Sequence, residues 1–166
     1  MLKKIIVLAL VILPLSAFAQ KFGHLNSQLI VQAMPEYTKA QTDLQALEKT
    51  YSDELKKIQD EYQKKLDEYQ KEEKTLPDNI KQRRQQELTD IQNRMQQYYQ
   101  TSQQDMQKAS QEKMGVISDK ISKAIKEVGT AGGYVYIMDI ASGIPYISET
   151  LSSDVTSAVK AKLGLK

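Results

Sequence analysis

The single histidine, His24, and the clustered carboxylates are the residues whose types and spacing most invite chemistry. The carboxylates come as adjacent pairs, Asp53-Glu54, Asp60-Glu61, Asp67-Glu68 and Glu72-Glu73, beside Lys56-Lys57, Lys64-Lys65, Lys71 and Lys74. Paired carboxylates can share acid–base work, but only in a pocket that separates their pKa values. On a solvated helix the same spacing makes intrahelical ion pairs worth a few tenths of a kcal/mol each, and that is the reading favoured here. His24 alternates with Phe22 and Asn26 in a short strand-like segment, and no serine elbow or partner base accompanies it. There is no cysteine, no metal-ligand spacing and no glycine-rich phosphate loop. The expectation is therefore a protein that is not an enzyme, with no catalytic residue, metal ligand or cofactor site.

Non-covalent binding is better supplied. Tyr51, Tyr62, Tyr69, Tyr98 and Tyr99, with Met95 and Met106, recur through a long polar stretch. Tyrosine is amphipathic with few rotors and methionine is pliable and polarizable, so both suit contact with varied polypeptide partners. The same residues can equally fill a seam between two helices. Tyr98 and Tyr99 point 100° apart on a helix, so one of them must leave that seam. A second candidate surface gathers Lys81, Arg83 and Arg84 near Asp78, a small basic patch able to touch anionic head groups transiently at a membrane surface, or acidic chains.

The stretch carrying these residues must be helical. From Leu44 through Leu47, Tyr51, Leu55, Ile58, Tyr62, Leu66 and Tyr69 the apolar residues advance in steps of three and four, an eleven-residue repeat. The second half keeps that period in the rows Ile80, Ile91, Ser102, Lys113, Ala124 and Arg84, Met95, Met106, Ile117, Val128. Eleven residues in three turns give a nearly straight stripe, unlike a heptad zipper. Leu76-Pro77-Asp78-Asn79 breaks the pattern: proline stops the first helix, and Asp78 or Asn79 can cap the second. So short a connection makes the helices antiparallel neighbours, about 60 and 75 Å long. The first carries 8 Lys against 11 acids over Glu36–Leu76, and the second 6 basic against 4 acidic residues over Ile80–Met114, a complementary pairing. The seam thins between Arg94 and Lys113, which predicts compliant arms on a firmer base. The glutamines crowded between Gln82 and Gln111 receive no role.

The ends supply that base. Phe22–Asn26 reads as a strand, Ser27 as the cap of a short helix through Gln32, and Pro35 as first-turn residue of the long helix. Gly129 can end the second long helix, and Gly132-Gly133 turns the chain into a strand over Tyr134–Ile140, apolar on both faces as if both are covered. A further strand is expected over Ile144–Ser148 despite Pro145, then a helix capped by Ser152 or Ser153. Phe22, Leu25, Val135, Ile137 and Ile140 form the expected core of the base and of its oligomer. The predicted class is α+β, mostly α. Residues 20–34 and 129–166 form a β-rich body, and 35–128 a helical hairpin with its tip near 76–79. So little core suggests association of several copies.

Residues 1–19 read as a secretory leader: basic Lys3-Lys4, an apolar run over Ile5–Leu13, and Ala17-Phe18-Ala19 with cleavage after Ala19. Of 23 Lys and Arg, two lie in the leader, so the remaining 21 match the 21 Asp and Glu. A neutral mature chain argues against a nucleic-acid partner.

In their order, the leader, a short strand, Met34-Pro35-Glu36, the long hairpin, Lys123–Val128, Tyr134–Asp139 and Asp154-Val155-Thr156 resemble the Skp/OmpH family of periplasmic chaperones. The resemblance implies a homotrimer with a β-rich body and three arms around a cavity. It also implies ATP-independent holding, in the periplasm, of unfolded outer-membrane polypeptides. Family members tend to be basic, whereas this mature chain is neutral, which shifts the expected grip toward Tyr and Met. A structural or adaptor role in the cell envelope, with the hairpin as spacer, is the alternative.

Overall fold

The computed structural model describes residues 20–165; the proposed leader and its cleavage site lie outside them. Among the described residues the chain forms two compact units, one comprising the chain up to Met34 and from Ser118 onward, the other Pro35–Ile117.

The first unit is built on a three-stranded, wholly parallel sheet. Its strands are β1 (Lys21–Leu25), β2 (Tyr134–Asp139) and β3 (Ser152–Asp154), in the order β2-β1-β3. Pairing runs Phe22 with Tyr136, Gly23 with Ile137 and His24 with Met138. The alternation of β1 divides the sheet: Gly23 and Leu25 are buried on one face, while Phe22 and His24 are half-exposed on the other. Gly23 packs closely: a Cβ there would sit 3.1 Å from Ile137 Cγ1 and 3.2 Å from the Tyr134 ring, so these side chains would have to give way. Leu25, Ile30, Met34, Val155 and Val159 form the buried core, with helix α1 (Ser27–Ala33) against helix α4 (Thr156–Lys162).

Side-chain anchors fix the ends of these short elements. Asn26, not Ser27, caps α1, its Oδ1 accepting the Leu29 N–H at 3.2 Å. Ser27 instead donates from its N–H and hydroxyl to the Asp139 carboxylate, which also accepts the Ala141 N–H at 3.0 Å. Burial alone would raise the Asp139 carboxyl, but these hydrogen bonds outweigh it and hold it below the ordinary carboxylate value. The Asn26 N–H donates to Thr156 Oγ1 at 3.0 Å, tying β1 to α4.

Several expectations for this unit are corrected. Ile144–Ser148 is not a strand; a 3-10 turn over Ile140–Ser142 leads instead into an open connection. The third strand is Ser152–Asp154, so neither Ser152 nor Ser153 caps the last helix; the Thr156 N–H is taken by Asp154 Oδ1 at 2.8 Å. These serines have poor strand propensity, and pairing with the free edge of β1 overrides it. β2 is not covered on both faces: it is an edge strand whose Val135, Tyr136 and Met138 are all exposed. Val135 falls where the β1–β2 register shifts, so it has no partner on β1.

The second unit contains α2 (Pro35–Glu72) and the part of α3 (Asp78–Gly132) up to Ile117. At 1.5 Å per residue the two helices are about 57 and 82 Å long. Asp78 and Asn79 lie inside the first turn of α3, and the Pro77 carbonyl accepts the Ile80 and Lys81 N–H groups. Gly129 does not end α3, which continues to Gly132 before Gly133 takes φ 65°. A Cβ at Gly129 would meet Ile137 Cδ1 at 3.4 Å, an ordinary packing contact.

Candidate functional site

The hairpin seam is where most of the residues singled out from sequence converge. Ile58, Tyr69, Ile91 and Ile117 are buried along it, and Leu55, Tyr62, Leu66, Leu88 and Met95 are half-buried. Apolar contact is only part of what joins the helices. Gln85 Nε2 donates to the Tyr69 hydroxyl and Gln92 Nε2 to the Tyr62 hydroxyl, both at 2.8 Å. Tyr51 Oη donates to Asp105 Oδ2 at 3.2 Å. Ion pairs join Lys65 to Glu87, Arg94 to Glu61, and Lys113 to Asp43 at 2.8 Å. In every pair the α3 number rises as the α2 number falls, which is antiparallel pairing in one register.

These contacts shift the acids they touch. The Lys65 ammonium lowers the Glu87 carboxyl, and Lys113, with Lys39 behind it, lowers Asp43. Tyr51 moves the other way: partial burial and then the Asp105 carboxylate raise its phenol.

The tyrosines therefore separate into two kinds. Tyr69 is 8% exposed and Tyr62 half-buried, each tied to a glutamine of the facing helix. Of the adjacent pair, Tyr98 turns inward, its ring 6.1 Å edge-on from Tyr51, while Tyr99 is 54% exposed. Between Ile91 and Ile117 the buried position on α3 is Ser102, whose hydroxyl donates back to the Tyr98 carbonyl. No large apolar side chain closes the seam there, and a groove of about 190 Å3 opens between Leu55, Tyr51, Tyr99 and Met106.

The basic tip is partly occupied by its own neighbours. Lys81 lies 3.8 Å from Asp78 and Arg84 3.8 Å from Glu87, while Arg83 is exposed and has no ion pair among the described residues. Arg84 Nε is buried without a hydrogen-bond partner among the described residues. In the other unit, Leu25 is core and Phe22, Ile137 and Ile140 are half-buried, but Val135 is 58% exposed in the single chain. The open sheet face carries Phe22 stacked on Tyr136, ring centroids 4.8 Å apart, beside exposed Met138, Tyr146 and Leu151. A depression of about 310 Å3 lies among them.

His24 Nδ1 lies 2.9 Å from Ser152 Oγ on the neighbouring strand. Asp154, which pairs with His24 in the sheet, turns its carboxylate to the Thr156 N–H. Among the described residues no His, Cys, Asp or Glu cluster can hold a metal ion, and no helix is long and apolar enough to cross a membrane.

Sequence reasoning missed the glutamines. A signal was present: Tyr69 and Gln85 stand eight residues either side of Pro77, and Tyr62 and Gln92 fifteen. Once the turn is placed at Pro77, the register follows, and with it the partners of Tyr69 and Tyr62.

The fold defines a class: a long antiparallel helical hairpin inserted into a small parallel α/β body. The family model for Outer membrane protein (OmpH-like) matches residues 21–163, and the chain belongs to that family. No curated protein matches it. Among solved structures it is similar to a candidate outer membrane chaperone (OmpH-like) from Caulobacter crescentus. The TM-score is 0.75 at 15% identity, over 87% of this chain and 83% of that one. At that identity the likeness speaks for the fold.

Proposed function

We propose that the protein is a chaperone of the cell envelope, acting in the periplasm as an ATP-independent holdase for unfolded outer-membrane polypeptides. The observation that carries this reading is the hairpin seam of an OmpH-like chain, closed by tyrosine–glutamine and ionic links and open at Ser102. Such a surface gives many weak, amphipathic contacts, which suit chains of varied sequence. Tyr99, Met95 and Met106 are its accessible members; Tyr62, Tyr69 and Tyr98 join only where the helices part. Lys81, Arg83 and Arg84 add a basic tip for transient contact with a membrane surface.

The uncovered sheet face supports association into a homotrimer. Phe22, Tyr136, Met138, Tyr146 and Leu151 leave an apolar surface that one chain does not cover, and Val135 edges it.

Suppression of aggregation of an unfolded β-barrel client at near-stoichiometric ratio tests the reading, and no protection at several-fold excess overturns it. Light scattering tests the trimer; a stable monomer overturns that part. Specific capture of one folded partner, without preference for unfolded chains, would favour the adaptor role.

A further inference from the structure

The mid-hairpin groove has a charge that its surroundings do not answer. Glu48 lines it and is the sole ionised residue among those that do. Along α2 the acids on either side are engaged: Asp43 with Lys39 and Lys113, Asp53 with Lys49, Glu54 with Lys57. Glu48 has no ion pair among the described residues, because Leu44, Gln45, Tyr51 and Ser52 occupy the positions three and four away from it. The walls are two tyrosines and two flexible apolar side chains, Leu55 and Met106, with Ser52, Ser102 and Gln103 as uncharged polar members that supply no counter-charge. Tyr51 is held in place by its bond to Asp105 and by its edge contact with Tyr98, whereas Tyr99 is half in solvent.

From this we infer that the groove takes a lysine or arginine side chain of an extended, unfolded polypeptide. Aromatic faces attract a cation, the carboxylate supplies the counter-charge, and Leu55 and Met106 suit the methylene stem of a long basic residue. A phenylalanine would satisfy the walls but would cover the Glu48 carboxylate without giving it a partner, which costs free energy. The inference rests on the chaperone reading and narrows it. The hairpin prefers basic side chains at this place, although the protein as a whole is close to neutral.

The test uses the full mature protein and short unstructured peptides carrying arginine, citrulline or phenylalanine at the same positions, with binding read by fluorescence anisotropy. Arginine should bind tightest, and Glu48→Gln should weaken it roughly two- to five-fold while leaving the citrulline peptide unchanged. Added salt should narrow the difference. Tyr99→Leu, at an exposed position, should weaken arginine binding by a similar factor with unchanged circular dichroism. Equal or tighter binding of the phenylalanine peptide, or an arginine affinity indifferent to Glu48→Gln, overturns the inference. Aggregation suppression by the wild-type protein separates the two readings. Protection without a Glu48 effect removes the groove assignment alone, and a Glu48-dependent arginine preference without protection removes the chaperone reading.

Discussion

The body and the hairpin bury their side chains by different means. In the body, Leu25, Ile30, Met34 and Val159 are 0–2% exposed and polar groups serve as anchors at element ends. In the hairpin Ile117 is as well buried, at 2%, but Ile91, Ala40, Ile58 and Tyr69 stand at 4–8%, and much of the cross-helix contact is hydrogen-bonded or ionic. Two helices side by side cannot exclude water from their seam as a sheet with helices over one face can. Polar and ionic links of this kind exchange with water at little net cost. Apolar sealing gives the body one packed state, and polar links leave the hairpin adaptable.

The contrast is sharpest for core truncation. Ile30→Ala should cost about 2–5 kcal/mol, because Ile30 is fully buried and its short helix cannot collapse onto the void. Urea denaturation measures it, and a loss under about 1 kcal/mol would mean the body is no better packed than the hairpin.

Next comes the anchor at Asp139. Asp139→Ala removes three hydrogen bonds at once and should destabilise the body by about 1.5–3 kcal/mol. Its pH dependence has a definite sign. The folded pKa lies below the ordinary 3.8, so the stabilisation is complete above the unfolded pKa and is lost as pH falls through the lower, folded one. Asp154 behaves alike: burial pushes its carboxyl up, and the Thr156 hydrogen bonds with the His24 charge pull it further down. Melting curves from pH 7 to 5 should therefore differ little on account of these two acids. The gap between wild type and Asp139→Ala should close only below about pH 4.

Sequence periodicity exposed the hairpin well, since Ile58, Ile91, Ser102, Ile117 and Ala124 all fall inside on the eleven-residue rows read from sequence alone. It did so because one helix face repeats locally, whatever lies across from it. The body was legible only in part. β1 and β2 announce themselves by composition, but Ser152–Asp154 becomes a strand through a pairing 130 residues away in the chain with His24. Ile144–Ser148 has strand-like residues yet pairs with no strand of the sheet. The groove was half legible. Tyr99 and Met106 were candidates from type and spacing, while Glu48, outside the paired acids, was not singled out, because its place in the groove depends on the helix across from it.

A smaller effect is expected in the seam. Tyr69→Phe removes the acceptor of Gln85 and should cost about 0.5–1.5 kcal/mol. Amide exchange should quicken around Tyr69 and Gln85 while Leu25 stays protected. Uniform quickening would show that the two units open together rather than separately.

The finest test uses two buried hydroxyl residues, Ser102 in the hairpin and Thr156 in the body, each 8% exposed. Thr156 Oγ1 is the acceptor for the Asn26 N–H, so Thr156→Ala leaves a backbone donor unpaired and should cost about 1 kcal/mol. The Ser102 hydroxyl donates only to a carbonyl one turn back in its own helix, a bond that competes with helical hydrogen bonding rather than adding a link across the seam. Alanine is also the better helix former there, so Ser102→Ala should stabilise by about 0.5 kcal/mol. Loss of a buried hydroxyl, accompanied at Thr156 by loss of the γ-methyl, should thus have opposite signs in the two regions. If both variants lose stability, Ser102 is holding the hairpin together in a way its hydrogen bond does not show. If Ser102→Ala gains stability and client protection is kept, the opening at mid-hairpin owes its function to missing bulk rather than to the hydroxyl.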